Sequence, residues 1–203
     1  MSILANKDTY VVIQGGVAGV NAARRMAEFC YLIKRSLNVL AFVYPPDAGK
    51  TNEIPYGSGL VAVPVYKTIA EATKNHPQIN TSLVYIGADR AMKGGMEALD
   101  DPHIKVVSMI TEGVPEKDAK ILGAHARKLG KVFNGPSSIG IVSAGSCRLG
   151  VIGGVEDPGG AAELDHDVVG VGGVDRSAPA VVESPPTTVN DVCPVGPTDT
   201  AID

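Results

Sequence analysis

Three short stretches hold the residue types that bind anions. Residues 11–26 read VVIQGGVAGVNAARRM. An apolar run ends at Gly15-Gly16, passes Gly19 and gives way to Asn21-Ala22-Ala23-Arg24-Arg25, the outline of strand, glycine turn and helix. Such a turn lets backbone N–H groups approach a phosphate, and the helix dipole adds attraction. The spacing G-G-V-A-G-V departs from G-x-G-x-x-G, so a tight turn that merely packs helix on strand remains open. The second stretch follows NVLAFVY, which Pro45-Pro46 ends. Dinucleotide sites place an acid here to bond the ribose hydroxyls. In this chain Asp47 stands beyond two prolines, and the prominent charge nearby is Lys50. A lysine there suits a nucleotide with an extra ribose phosphate, such as NADP or coenzyme A; an ordinary solvated lysine would read the same. The third stretch is SLVYIGADR, whose Arg90 can fork onto a phosphate or pair with a neighbouring acid. Thr111-Glu112-Gly113 ends a further apolar run, where glycine permits close backbone approach or makes a plain turn.

The surrounding pattern supplies elements to position these residues. Strand chemistry occupies Tyr10–Gln14, Asn38–Tyr44, Ser82–Gly87 and Lys105–Ile110, with shorter extended pieces at Val61–Tyr66 and Val132-Phe133. Helical spacing covers Asn21–Lys34, Thr68–Asn75, Asp89–Leu99 and Pro115–Leu129. Thr68 and Glu71 have capping-box spacing, and Pro115 suits a first helical turn. Residues 45–59 read as a glycine-bearing loop and 138–152 as a small hairpin. Alternating strands and helices, with nearly continuous apolar strands, predict an α/β fold with a mostly parallel sheet covered on both faces. Ligands of such sheets sit at strand C-terminal ends, near the reversal of strand order. That rule nominates one site built from loops 15–20, 44–59, 87–90, 110–115 and 134–140.

Charge divides the chain. Residues 1–154 carry 17 Lys and Arg against 12 Asp and Glu; residues 155–203 carry one Arg and ten acids. The second part is interrupted throughout by Pro and Gly and has no helical or strand period, so it is expected to be a disordered acidic tail. The expected domain is therefore 1–154, with 155–203 as a disordered or unrelated tail. Three distant cysteines, no signal-peptide pattern and no long apolar run lead to the expectation of a soluble cytoplasmic protein that avoids membranes. The net charge of −4 gives no sign of a nucleic-acid partner. Asp165, His166 and Asp167 are adjacent and lack a second cluster, so no metal site is expected. The isolated histidines, His76 and His125 among them, read as structural or solvated, and Ser137, Ser138, Ser143 and Ser146 lack the setting of a hydrolase nucleophile.

Several stretches together resemble the CoA-binding domain of the ATP-citrate lyase and succinyl-CoA synthetase alpha-subunit family. They are the opening MSILANKDTYVVIQG, the segment VSMITEGVPEKD and the segment NGPSSIGIVSAGSCRLG. The last fits the family spacing G-P-x-x-x-G-x-x-x-x-G-x-C-x-x-G from Gly135 to Gly150. LAFVYPPDAGK, VYKTIAEATKNHPQIN and IGADRA look like the lyase branch, especially the bacterial multi-subunit kind and the related citryl-CoA synthetase. Ser137-Ser138-Ile139 stands where the synthetases have a cysteine and proline.

The resemblance implies a Rossmann-like domain that takes coenzyme A as cofactor. Gly15, Gly16, Val17, Ala18, Gly19 and Val20 would hold its phosphates, and Lys50 would lie near its nucleotide end. Arg90 would stand near CoA, while Ile110, Thr111 and Glu112 would line the pantetheine arm. Val17-Ala18 replaces a Thr-Gly pair of the synthetases, so a hydroxyl contact is lost there. Either Gly19 compensates through a shifted turn, or backbone alone holds the phosphates. The family's phosphohistidine motif G-H-A-G-A and its G-x-V-S-x-S-G motif do not occur in the chain. No catalytic residue is therefore expected here, and ATP and Mg would belong to the intact enzyme, with an ATP-grasp subunit as partner. The alternatives are a stand-alone CoA- or nucleotide-binding module without catalysis, and a succinyl-CoA synthetase alpha-subunit fragment. The tail would then be a truncation product or a natural acidic linker.

Overall fold

A computed structural model describes residues 4–152. The expected tail at 155–203, with Asp165, His166 and Asp167, lies outside the described residues. Strand β1 (Val11–Gln14) leads through the glycine turn into helix α1 (Val17–Leu32), then β2 (Val39–Val43). A short 3-10 turn (Pro45–Asp47) precedes the hairpin of β3 (Thr51–Tyr56) and β4 (Gly59–Tyr66). Helix α2 (Ile69–Asn75), β5 (Thr81–Val84), α3 (Ala88–Asp100), β6 (Val106–Met109), α4 (Glu116–Lys128) and β7 (Val132–Asn134) follow. A second hairpin, β8 (Gly140–Ser143) and β9 (Cys147–Gly150), closes the described chain.

The seven-stranded sheet has the order β3-β4-β2-β1-β5-β6-β7. All its pairings are parallel except β3 with β4. The chain first builds outward from β1 through β2, then returns to β5 on the other side. The strand order therefore reverses at β1, between Gln14 and the neighbouring ends of β2 and β5. Central β1 is buried on both faces, which explains its unbroken apolar run. On one face Val11 and Ile13 pack with Ala23 and Met26 of α1 and with Ile141 and Leu149 of the second hairpin. On the other, Val12 and Val43 pack with Ile69 of α2, Leu99 of α3 and Leu122 of α4. The sheet is thus covered on both sides, and all four α-helices begin at its C-terminal edge.

Two sequence expectations need correction. The predicted loop 45–59 contains β3, an edge strand in which Ile54 is fully buried between exposed Glu53 and Pro55. One apolar residue among polar ones leaves little periodic signal, and the edge position tolerates Pro55. Helix α1 starts at Val17, four residues before the expected Asn21. Val17-Ala18-Gly19-Val20 has no polar face to announce a helix, yet it forms the first turn. No helix among the described residues is long and apolar enough to cross a membrane.

Candidate functional site

The reversal point gathers four loop ends. Gly15 donates its N–H to Val43 O at 3.1 Å, and Tyr85 donates to Gln14 O at 2.8 Å, so the chain after β1 is held by both neighbouring strands. Gly15 has φ +148°, and a Cβ there would lie 2.9 Å from Cβ of Tyr85. Glycine alone fits this turn. Gly19 is needed for close packing instead, since a Cβ on it would meet Cγ2 of Ile13 at 2.7 Å. It brings α1 down onto β1 and faces the sheet rather than the loop.

The first turn of α1 is open. Gly16 is its N-cap and supplies no side-chain hydrogen bond. Val17 is 79% exposed, Ala18 is exposed, and the turn contains no acid. The other three α-helices carry acids in their first turns: Glu71 in α2, Asp89 in α3, and Glu116 and Asp118 in α4. Unpaired N–H groups and the positive end of the helix dipole attract an anion, and a carboxylate already in place opposes it. Among the described α-helices, α1 is the one whose start is free of negative charge.

The cations expected from sequence stand on the flanking loops, each beside an acid. Lys50 Nζ is 2.7 Å from Asp47 Oδ1 on the exposed loop after β2. That hydrogen bond and the Asp47 charge hold the Lys50 pKa above its ordinary value. Asp47 is consequently engaged with a cation where a dinucleotide site would need a carboxylate for ribose. Arg90 lies in the first turn of α3, with Nε 3.6 Å from Asp89 Oδ2. The alternative of a pairing with a neighbouring acid is thus realised, while the guanidinium remains mostly exposed at the same edge of the sheet.

The third loop is held from within. Ile110 donates its N–H to Val84 O at 3.0 Å. Thr111 Oγ1 donates to Ile86 O at 2.7 Å and approaches Val84 O at 3.3 Å. Ser137 N in turn donates to Thr111 O at 3.0 Å. Thr111 fixes the loops after β5 and β6 against each other, a role that sequence could not reveal. Glu112 is exposed beyond it. Ser138 is buried in a network with Ser108 and Asn134, so it serves packing.

Other polar groups lie away from this site. His76 bonds Tyr66, and His125 stands 2.7 Å from Asp100. A cavity of about 660 Å3 opens at the opposite edge of the sheet, beside Asn80, Lys105 and Lys131. Lys131 is committed there, donating to the carbonyls of Leu99 and Asp101 at 2.6 Å each.

The sequence model of the family described as "CoA binding domain" matches residues 6–113. Among curated proteins, the chain is 35% identical over 134 residues to an ATP-citrate synthase beta chain of Arabidopsis thaliana, covering 66% of this chain and 22% of that protein. It is 34% identical to a rice counterpart with the same coverage. Among solved structures, ATP citrate lyase from Methanothrix soehngenii, in complex with citrate and coenzyme A, aligns with a TM-score of 0.69 and 33% identity. That alignment covers 73% of this chain and 24% of the archaeal one. The chain spans about a quarter or less of the length of these relatives.

Proposed function

This chain belongs to the CoA binding domain family, and on that premise we propose that it binds coenzyme A at the C-terminal edge of the sheet, with the CoA diphosphate on the first turn of α1. The observation that carries the proposal is the open, acid-free start of α1 at the reversal of strand order. Backbone N–H groups of Val17, Ala18 and Gly19 face the diphosphate from the helix end, after the turn set by Gly15 and Gly16. Lys50 takes the ribose 3′-phosphate, since a charged partner there replaces the carboxylate of a dinucleotide site. The pantetheine arm runs past Arg90 and along Ile110, Thr111 and Glu112, toward the chemistry performed elsewhere.

The intact assembly is proposed to be an ATP-citrate lyase. It would convert ATP, citrate and CoA to acetyl-CoA, oxaloacetate, ADP and phosphate by way of citryl phosphate and citryl-CoA. Likeness to the lyase relatives supports this branch over succinyl-CoA synthetase. The chain supplies the CoA-binding portion and no catalytic residue; an ATP-grasp subunit and the remaining domains supply phosphorylation and cleavage. Calorimetric titration of the 203-residue chain with CoA and with NAD tests the binding claim. Saturable heat with CoA alone is expected. Binding of NAD with equal affinity, or of neither ligand by a folded chain, would refute it.

A further inference from the structure

The first turn of α1 offers no side-chain donor: Val17, Ala18, Gly19 and Val20 carry none, and the N-cap Gly16 makes no side-chain hydrogen bond. A hydroxyl occupies the neighbourhood. Tyr44 follows β2 directly, and its N–H donates to Tyr66 O at 3.1 Å, which holds its backbone at the C-terminal edge of the sheet. Its ring turns toward α1. A Cβ built on Gly16 would stand 3.2 Å from Cζ of Tyr44 and 3.5 Å from both Cε atoms. The para end of the ring thus meets the N-cap of α1 symmetrically, and the hydroxyl is one bond beyond. The ring packs partly into the core beside α1, so its direction is fixed. Among the described residues the Tyr44 hydroxyl has no hydrogen-bond partner. It is not enclosed either, unlike the buried hydroxyl of Tyr85.

We propose that the Tyr44 hydroxyl donates a hydrogen bond to the anion on the first turn of α1, replacing from the end of β2 the side-chain donor that α1 itself lacks. This rests on the reading of that turn as the seat of the CoA diphosphate. The ligand class is a diphosphate ester, recognised by backbone N–H groups from the helix and a phenolic O–H from the adjacent strand end. Gly16 suits the arrangement, since a Cβ at the N-cap would crowd the Tyr44 ring and displace it by a few tenths of an ångström. The device differs from a threonine in the helix turn in one respect: the donor belongs to a separate strand. Helix and strand end must therefore be held in register, as the Gly15 N–H to Val43 O bond holds them.

Tyr44→Phe removes the hydroxyl and keeps the ring against Gly16. Affinity of the full chain for CoA, dephospho-CoA and 4′-phosphopantetheine, measured by calorimetry, separates the possibilities. Loss of a hydrogen bond to a charged group weakens binding by about tenfold or more. The expected result is an equal loss, about tenfold, for CoA and dephospho-CoA, which share the diphosphate, with an unchanged melting temperature. The 4′-phosphopantetheine, which lacks the nucleotide and a diphosphate, is expected to change less. Wild-type affinity for CoA in Tyr44→Phe would overturn the proposal and leave the CoA site standing. A loss confined to CoA would move the hydroxyl to the 3′-phosphate and also overturn it. Failure of the wild-type chain to bind either CoA or dephospho-CoA would overturn the site and the Tyr44 role together.

Discussion

Helices α1 and α3 begin at the C-terminal edge of the sheet, on its opposite faces, after adjacent strands β1 and β5, and both are capped by glycine without a side-chain hydrogen bond. Their first turns have opposite electrostatics. α1 offers Val17, Ala18 and Gly19, with N–H groups and no charge; α3 offers Asp89 and Arg90, an acid at the helix start paired with its own cation. The same local fold is thereby left open at one helix and compensated internally at the other. Both helices have glycine caps; the first turn of α1 differs in lacking a carboxylate and in having the Tyr44 ring against its N-cap.

The most severe way to erase the difference is Ala18→Asp, which gives α1 the charge pattern of α3. A carboxylate against the CoA diphosphate is expected to lower CoA affinity by about a hundredfold, because like charges brought together cost several kcal/mol. The melting temperature should hold or rise slightly, since an acid suits a helix start. A titration that found CoA affinity unchanged would end the distinction between the two helices.

Tyr85 links the two regions, backing Gly15 on one side and preceding α3 on the other. Burial pushes its phenol up to about 12, and its hydroxyl has no partner among the described residues. A tyrosine whose pKa is raised by folding contributes stability below its unfolded pKa of about 10 and loses it as pH climbs through the folded value. Melting temperatures are thus expected to fall between about pH 10 and 12, because burial disfavours the phenolate in the folded chain by on the order of 3 kcal/mol. Cys147, raised to about 11 by burial, adds its own loss from about pH 9 upward. Tyr85→Phe should remove the tyrosine part and raise stability at neutral pH. An unaltered alkaline profile in that variant would assign the loss to the cysteines.

Lys50→Ala sharpens the comparison at the nucleotide end. It should weaken CoA by about tenfold and leave dephospho-CoA unchanged, the loss expected for one charge-assisted hydrogen bond. Equal weakening of both would detach Lys50 from the 3′-phosphate. The mildest expected change is Asp89→Asn, which releases Arg90 from its exposed neighbour. CoA affinity should rise about twofold, in keeping with the small worth of surface pairs. A fall would mean that Asp89 holds Arg90 in its binding position.

The architecture was largely legible because the central strands are buried on both faces and therefore read as unbroken apolar runs, as in Tyr10–Gln14 and Lys105–Ile110. The topology rule nominates the loops at the strand C-terminal ends, and the loops after β1, β2, β5 and β6 do meet at one edge. The losses have local causes. Val17–Val20 carries no amphipathic period, so the sequence pattern starts the helix at Asn21 and misses its first turn. Edge strand β3 has a single buried residue, Ile54, and could not be told from loop. Tyr44 looked like an ordinary strand residue because its meaning depends on Gly16, 28 positions earlier in the chain. The hydrogen bond of Thr111 Oγ1 to the carbonyl of Ile86 joins loops 25 positions apart, and no local pattern in the sequence announces it.

The most direct test is an amide NMR titration of the chain with CoA. The largest shift changes are expected at the N–H groups of Val17, Ala18 and Gly19, with much smaller ones at Asp89 and Arg90. Largest changes at the start of α3, or around Lys105 and Lys131 at the opposite edge of the sheet, would contradict the assignment of the open end of α1 as the CoA phosphate site.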